Sequence, residues 1–65
     1  MDRIRKILSQ LNGDNQISVY RVNSKLDIEM TNTSVDSFIG MITNGYMDPS
    51  QIVEIKCDKN VIFSV

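Results

Sequence analysis

Two stretches of this chain carry the same amphipathic stripe and end in the same dipeptide. Ile4, Ile7, Leu8 and Leu11 recur at i, i+3, i+4 and i+7, and so do Val35, Phe38, Ile39 and Ile42. That spacing lines one face of a helix. Asn12-Gly13 follows the first stripe and Asn44-Gly45 the second. Gly tolerates the left-handed conformation wanted just past a helix end. Asp2 is placed to cap the first helix, and Thr33 or Ser34 the second. Gly40 interrupts the second helix at a cost of about 1 kcal/mol relative to Ala. It either admits another backbone or has no role in packing.

Each helical stretch is followed by two segments that alternate with period two. Residues 16–23 and 25–31 sort cleanly when joined by a two-residue turn at Asn23-Ser24. Val22 then faces Lys25, and Leu26, Ile28 and Met30 share a face with Ile17 and Val19. Ser18, Tyr20, Asp27 and Glu29 take the other face. For residues 51–58 and 61–65, a two-residue turn would set Cys57 against Ile62 and Ile55 against Ser64. A three-residue loop, Asp58-Lys59-Asn60, instead pairs Cys57 with Val61, Ile55 with Phe63 and Val53 with Val65. Asn60 then takes the left-handed position of the loop. Asp48-Pro49 excludes a continuous helix between the second stripe and this hairpin.

The order is therefore α-β-β-α-β-β, in a single domain over residues 1–65. The predicted fold is α+β, with one four-stranded antiparallel sheet and two helices packed on one face. The helices should bury Ile17, Val19, Ile28, Val53, Ile55 and Phe63. The opposite face should expose Tyr20, Asp27, Glu29, Ile52 and Ile62 together.

Composition narrows function by elimination. The chain has 65 residues, one Cys and no His or Trp. A chain this short buries only about 60% of its unfolded surface. One Cys makes no internal disulfide, and without His it supplies no four-ligand zinc site. Cys57 reads as a small core residue, since a nucleophilic Cys normally needs a base beside it. There is no phosphate-cradling glycine loop and no Ser/His/Asp set. We therefore expect a non-catalytic protein with no metal and no cofactor. No apolar run approaches the roughly 20 residues of a membrane span, and the first twelve residues lack the apolar core of a signal peptide. The expected location is the cytoplasm.

Candidate contact residues come from the predicted open face. Tyr20, Asp27 and Glu29 would form a recognition patch, and Ile52 and Ile62 an apolar one beside it. The last strand, residues 61–65, has neither charge nor Pro. As an edge strand it invites pairing with another chain, which makes a homodimer the expected state. Tyr46 and Met47 lie in a loop, where such residues either anchor an interface or fold back over the core. Arg3, Arg5, Lys6 and Arg21 support an alternative, a small nucleic-acid-binding regulator using the basic face of the first helix. The net charge of −1 does not favour it.

One resemblance adds to this reading. It runs through Leu26-Asp27-Ile28-Glu29-Met30, the capped stretch Thr33-Ser34-Val35-Asp36-Ser37-Phe38, and the charged segment from Ile52 to Lys59. With gaps, about residues 16–59 resemble the small phage-encoded inhibitors of uracil-DNA glycosylase. The resemblance implies a dimer that imitates DNA, offering acidic groups and an apolar pocket to its target. Glu29 falls where that family keeps an acidic residue on its second strand, and Phe38 matches its helix aromatic. The chain departs from the pattern in its first helix, its fourth strand, its lower acidity, and Ile42 in place of a second helix aromatic. The broader expectation is a phage or mobile-element protein that blocks a host protein, a class that includes counter-defence and anti-CRISPR proteins.

Overall fold

The computed structural model describes residues 2–65, with side chains from Arg3 onward. The expected cap at Asp2 concerns a side chain outside the described residues. Helix α1 spans Asp2–Leu8 and α2 spans Val35–Thr43. Strands β1 (Gln16–Val22), β2 (Ile28–Ser34), β3 (Ile52–Cys57) and β4 (Asn60–Ser64) form one antiparallel sheet in the order β2-β1-β3-β4. The predicted α-β-β-α-β-β architecture is the observed one. Ile4 and Leu8 of α1 and Val35 and Phe38 of α2 pack on Ile17, Val19, Ile52, Ile55 and Phe63 of the sheet.

The helix ends follow from local chemistry. Ser34 Oγ accepts the Ser37 N–H at 3.2 Å, capping α2. At the other end Gly45 has φ +80. Its N–H donates to the Ile42 carbonyl, and the Tyr46 N–H donates to that of Met41, which completes a Schellman cap. Gly13 differs from this expectation because its φ is not positive. The α2 terminus lies against it. The Asp36 N–H donates to the Gly13 carbonyl at 3.0 Å, and an added Cβ would strike the Asp36 carboxylate. Nothing approaches Gly40. After α1 the chain tightens, with N–H to C=O bonds from Gln10 to Ile7 and from Leu11 to Leu8. Leu11 thus lies beyond the helix, half-buried against the core.

The first hairpin corrects the predicted register. Val22 pairs with Ile28, not Lys25. The turn is Ser24-Lys25-Leu26, closed by an N–H to C=O bond from Asn23 to Asp27 at 3.0 Å and another from Leu26 to Asn23 at 3.0 Å. Leu26 sits at φ +65, the left-handed position of a three-residue hairpin loop. The Asn23 side-chain oxygen accepts from the Lys25 and Asp27 N–H groups at 2.8 and 3.1 Å. Moving the partner of Val22 from Lys25 to Ile28 is a shift of three, an odd number, so every β2 side chain changes face. Thr31 and Thr33 turn toward the helices, and Ile28 and Met30 toward solvent. Ile28 is 60% and Met30 52% exposed, where burial was expected.

Two bulges, one between β1 and β3 and one between β3 and β4, correct the predicted facing of the second hairpin. Tyr20 pairs with Glu54 and Arg21 with Ile52, leaving Val53 as an extra residue. Residues before the bulge therefore reverse face. Ile52 is 2% exposed and belongs to the core, while Val53 is only half-buried. In β4 the predicted pair Ile55–Phe63 holds. The pairing then shifts so that Lys56 meets Val61 and Cys57 meets Asn60, with Ile62 extra. The left-handed residue is Asp58, at φ +57, rather than Asn60. Val61, expected inside, is 52% exposed, and Ile62 packs partly against the core.

Asp48 caps the single turn Pro49–Gln51. Its carboxylate accepts from the Ser50 hydroxyl at 2.7 Å and the Ser50 N–H at 2.9 Å. The hydroxyl bond, then the backbone bond, holds this carboxyl below its usual 3.8.

Ile52→Ala should cost about 2–5 kcal/mol in urea unfolding, whereas Val61→Ala should stay within about 0.5 kcal/mol. Leu26→Gly should raise stability by about 1 kcal/mol, since a side chain at left-handed φ costs about that much. Asp48 should titrate below an unfolded-chain Asp when followed by NMR. Its stabilising effect is present above the unfolded value and lost as pH falls through the lowered native one, and Ser50→Ala should move its midpoint upward.

Candidate functional site

The face of the sheet away from the helices is built by alternation along four strands. β1 contributes Ser18, Tyr20 and Val22, and β2 contributes Ile28, Met30 and Asn32 opposite them. β3 adds Glu54 and Lys56, and β4 adds Val61 and Ser64. Tyr20 lies at the centre, directly across from Met30 on one side and Glu54 on the other. Lys56 Nζ sits 5.5 Å from the Tyr20 ring centroid and 3.7 Å from the Glu54 carboxylate. The ammonium is thus shared between a π face and a carboxylate. Ser18 Oγ donates to Asn32 Oδ1 at 2.7 Å. Glu54 and Lys56 are the ionised pair on this face, and their charges cancel.

The structure distributes the predicted contact residues differently from the sequence reading. Tyr20 is on the open face. Asp27 closes the hairpin turn and is exposed there. Glu29 pairs with Arg21 in register with Val19 and Thr31, which places it on the helix side of the sheet. Its carboxylate lies 3.4 Å from Arg21 Nη2 and also accepts from Asn23 Nδ2 at 3.3 Å. The expected acidic patch beside Tyr20 therefore does not form, because the turn reverses β2. Ile52 is buried and Ile62 half-buried, for the reasons of the two bulges. Of the loop pair, Tyr46 is 82% exposed and Met47 is in the core at 5%.

The basic candidates are divided between α1 and β1. Arg3 stacks its guanidinium 5.1 Å from the Phe63 ring centroid on β4. Arg21 is on β1 beside β2, near the far edge of the sheet. Its Nε is enclosed, with no hydrogen-bond partner among the described residues. Arg5 and Lys6 are exposed on α1. Cys57 is half-buried against the core cluster. Among the described residues no three His, Cys, Asp or Glu side chains come together and no pocket opens. No described helix is long and apolar enough to cross a membrane.

Ile28, Met30 and Val61 are the face residues that sequence reasoning assigned to the core. The usable signal was Asn23. An Asn at the first position of a turn, able to hydrogen-bond backbone two residues on, argues for a loop that starts there. Comparison with protein-family models, with curated proteins and with solved structures finds no match.

Proposed function

We propose that this chain is a non-catalytic protein-binding module that grips a host protein with the open face of its sheet, as small phage and mobile-element inhibitors do. The observation that carries this reading is the composition of that face. Tyr20, Val22, Ile28, Met30 and Val61 lie around one ion pair, with no net charge. Aromatic residues and Met are enriched at interface cores, where charge is depleted. Exposed large apolar groups gathered on one face mark interaction sites.

The same composition ranks the targets. A DNA mimic of the uracil-DNA glycosylase inhibitor kind presents carboxylates in a row. Here Glu29 is held by Arg21 on the other side, and Asp27 lies in the turn. An apolar groove on a protein suits this face better than a basic nucleic-acid cleft, and a counter-defence or anti-CRISPR protein is one form such a module takes. The module acts in the cytoplasm beside its host partner and needs no cofactor. The nucleic-acid alternative has less support, since Arg3 and Arg21 are engaged within the fold.

Affinity capture from a bacterial lysate, read by mass spectrometry, tests the reading. Tyr20→Ala and Val61→Asp should each abolish capture of the partner, a loss of about 2 kcal/mol or more at a central contact, while both variants still melt cooperatively. Capture that survives both changes but is lost in Arg5→Glu with Lys6→Glu would transfer the site to α1.

A further inference from the structure

The backbone of β2 carries an unused row of hydrogen-bonding groups. β2 is an edge strand, paired on one side only. Its register with β1 runs unbroken from Gln16–Ser34 to Val22–Ile28. The bond from the Asn23 N–H to the Asp27 carbonyl marks a hydrogen-bonded pair at the turn. The bond from the Val35 N–H to the Asn15 carbonyl marks another at the far end. Such pairs alternate along an antiparallel ladder. Glu29, Thr31 and Thr33 thus spend their backbone groups on β1. Ile28, Met30 and Asn32 direct theirs outward, and all three residues are exposed.

The two edges of the sheet are not alike. On β4 the extra residue Ile62 breaks the row, and Arg3 of α1 lies over the neighbouring Phe63. A bulge is a standard protection of an edge. β2 has no bulge, Pro or Lys. Its one ionised side chain, Glu29, is tied to Arg21.

We propose that two copies of this chain pair antiparallel through their β2 edges, about a two-fold axis at Met30. Met30 then meets the second copy's Met30, and Ile28 meets Asn32, through the outward N–H and C=O groups of all three. This axis sets Glu29 opposite Thr31, so no carboxylate faces another. It also ends the contact at Asn32, before the strand becomes buried at Thr33. An axis at Thr31 would set both apolar side chains against Asn32 and Ser34, and Ser34 is already occupied capping α2. Pairing about Met30 keeps even-numbered residues on one side. The two sheets become one of eight strands, the helices stay on a common side, and the two open faces join. The inference goes beyond the host-binding reading and does not depend on it.

Sedimentation velocity and amide hydrogen exchange on the intact chain test the pairing, over concentrations up to about 1 mM, the weakest association worth a specific contact. The expected result is a reversible dimer in which the Ile28, Met30 and Asn32 amides slow with rising concentration while Ser64 does not. Met30→Pro removes an outward N–H that β1 does not use, which an edge strand tolerates. Met30→Lys sets like charges opposite each other on an exposed position. Each should weaken the dimer by at least about tenfold with the melt still cooperative. If Met30→Pro fails to fold, Met30→Lys decides. A monomer at every concentration overturns the proposal. So does a dimer that protects Ser64, one that slows no β2 amide, or one that Met30→Lys leaves unchanged. Protection that appears only when a host protein is added to a monomer also overturns it, and assigns the edge to a partner strand. Tyr20→Ala and Val61→Asp should leave the dimer intact, so failure here is distinct from failure of host capture.

Discussion

The side-chain oxygen of Asn23 accepts from the N–H groups of Lys25 and Asp27, and these two bonds organise the first hairpin. They stabilise a loop that carries Leu26 in the left-handed region, where a branched side chain is unfavourable. The loop length then fixes the parity of β2. Everything on that strand follows from parity. Thr31 and Thr33 lie toward the helices, Ile28 and Met30 lie in solvent, and Glu29 meets Arg21 rather than Tyr20. A single odd step in the turn exchanges a buried apolar strand for a polar one and adds Ile28 and Met30 to the open face.

The two bulges act in the same way on the other half. Val53 is the residue that β1 does not pair, and its insertion turns Ile52 into the core beside Ile55. Ile62 is the residue that β3 does not pair, and it leaves Val61 beside Lys56 on the open face. A small domain has few apolar residues to spend on a core. Here the bulges put Ile52 in the core in place of Val53, and part of Ile62 in place of Val61.

This explains which parts of the molecule were legible in its sequence. Helical periodicity reports one face of one element, so Val35 and Phe38 were placed correctly without knowing their partners. The left-handed Gly45 is local chemistry and was legible too, as was a cap at Thr33 or Ser34, of which Ser34 is the one used. Facing in a sheet is not local. Sorting by hydrophobicity assumes that every apolar strand residue points inward, which favours a two-residue turn after Val22 and rejects a strand that buries Thr33. The preference fails because the turn is chosen by Asn23 and the backbone, and the core is completed from elsewhere. The candidate site inherited that error through Glu29, and Ile52 was displaced separately by the bulge at Val53, while Tyr20, on the regular strand β1, was unaffected.

Arg21 and Glu29 hold the first hairpin from the helix side, Asp48 caps the turn before β3, and Arg3 covers Phe63. On the open face Lys56 lies between Tyr20 and Glu54 and leaves little field for a distant partner to sense. A surface of this kind gains nothing from long-range steering, which needs a potential of one sign. In the proposed role its selectivity comes from shape and from desolvation of Tyr20, Met30 and Val61 at contact. Pairing through β2 would double that apolar area without adding net charge to it, because the ionised groups near the β2 edge already compensate one another.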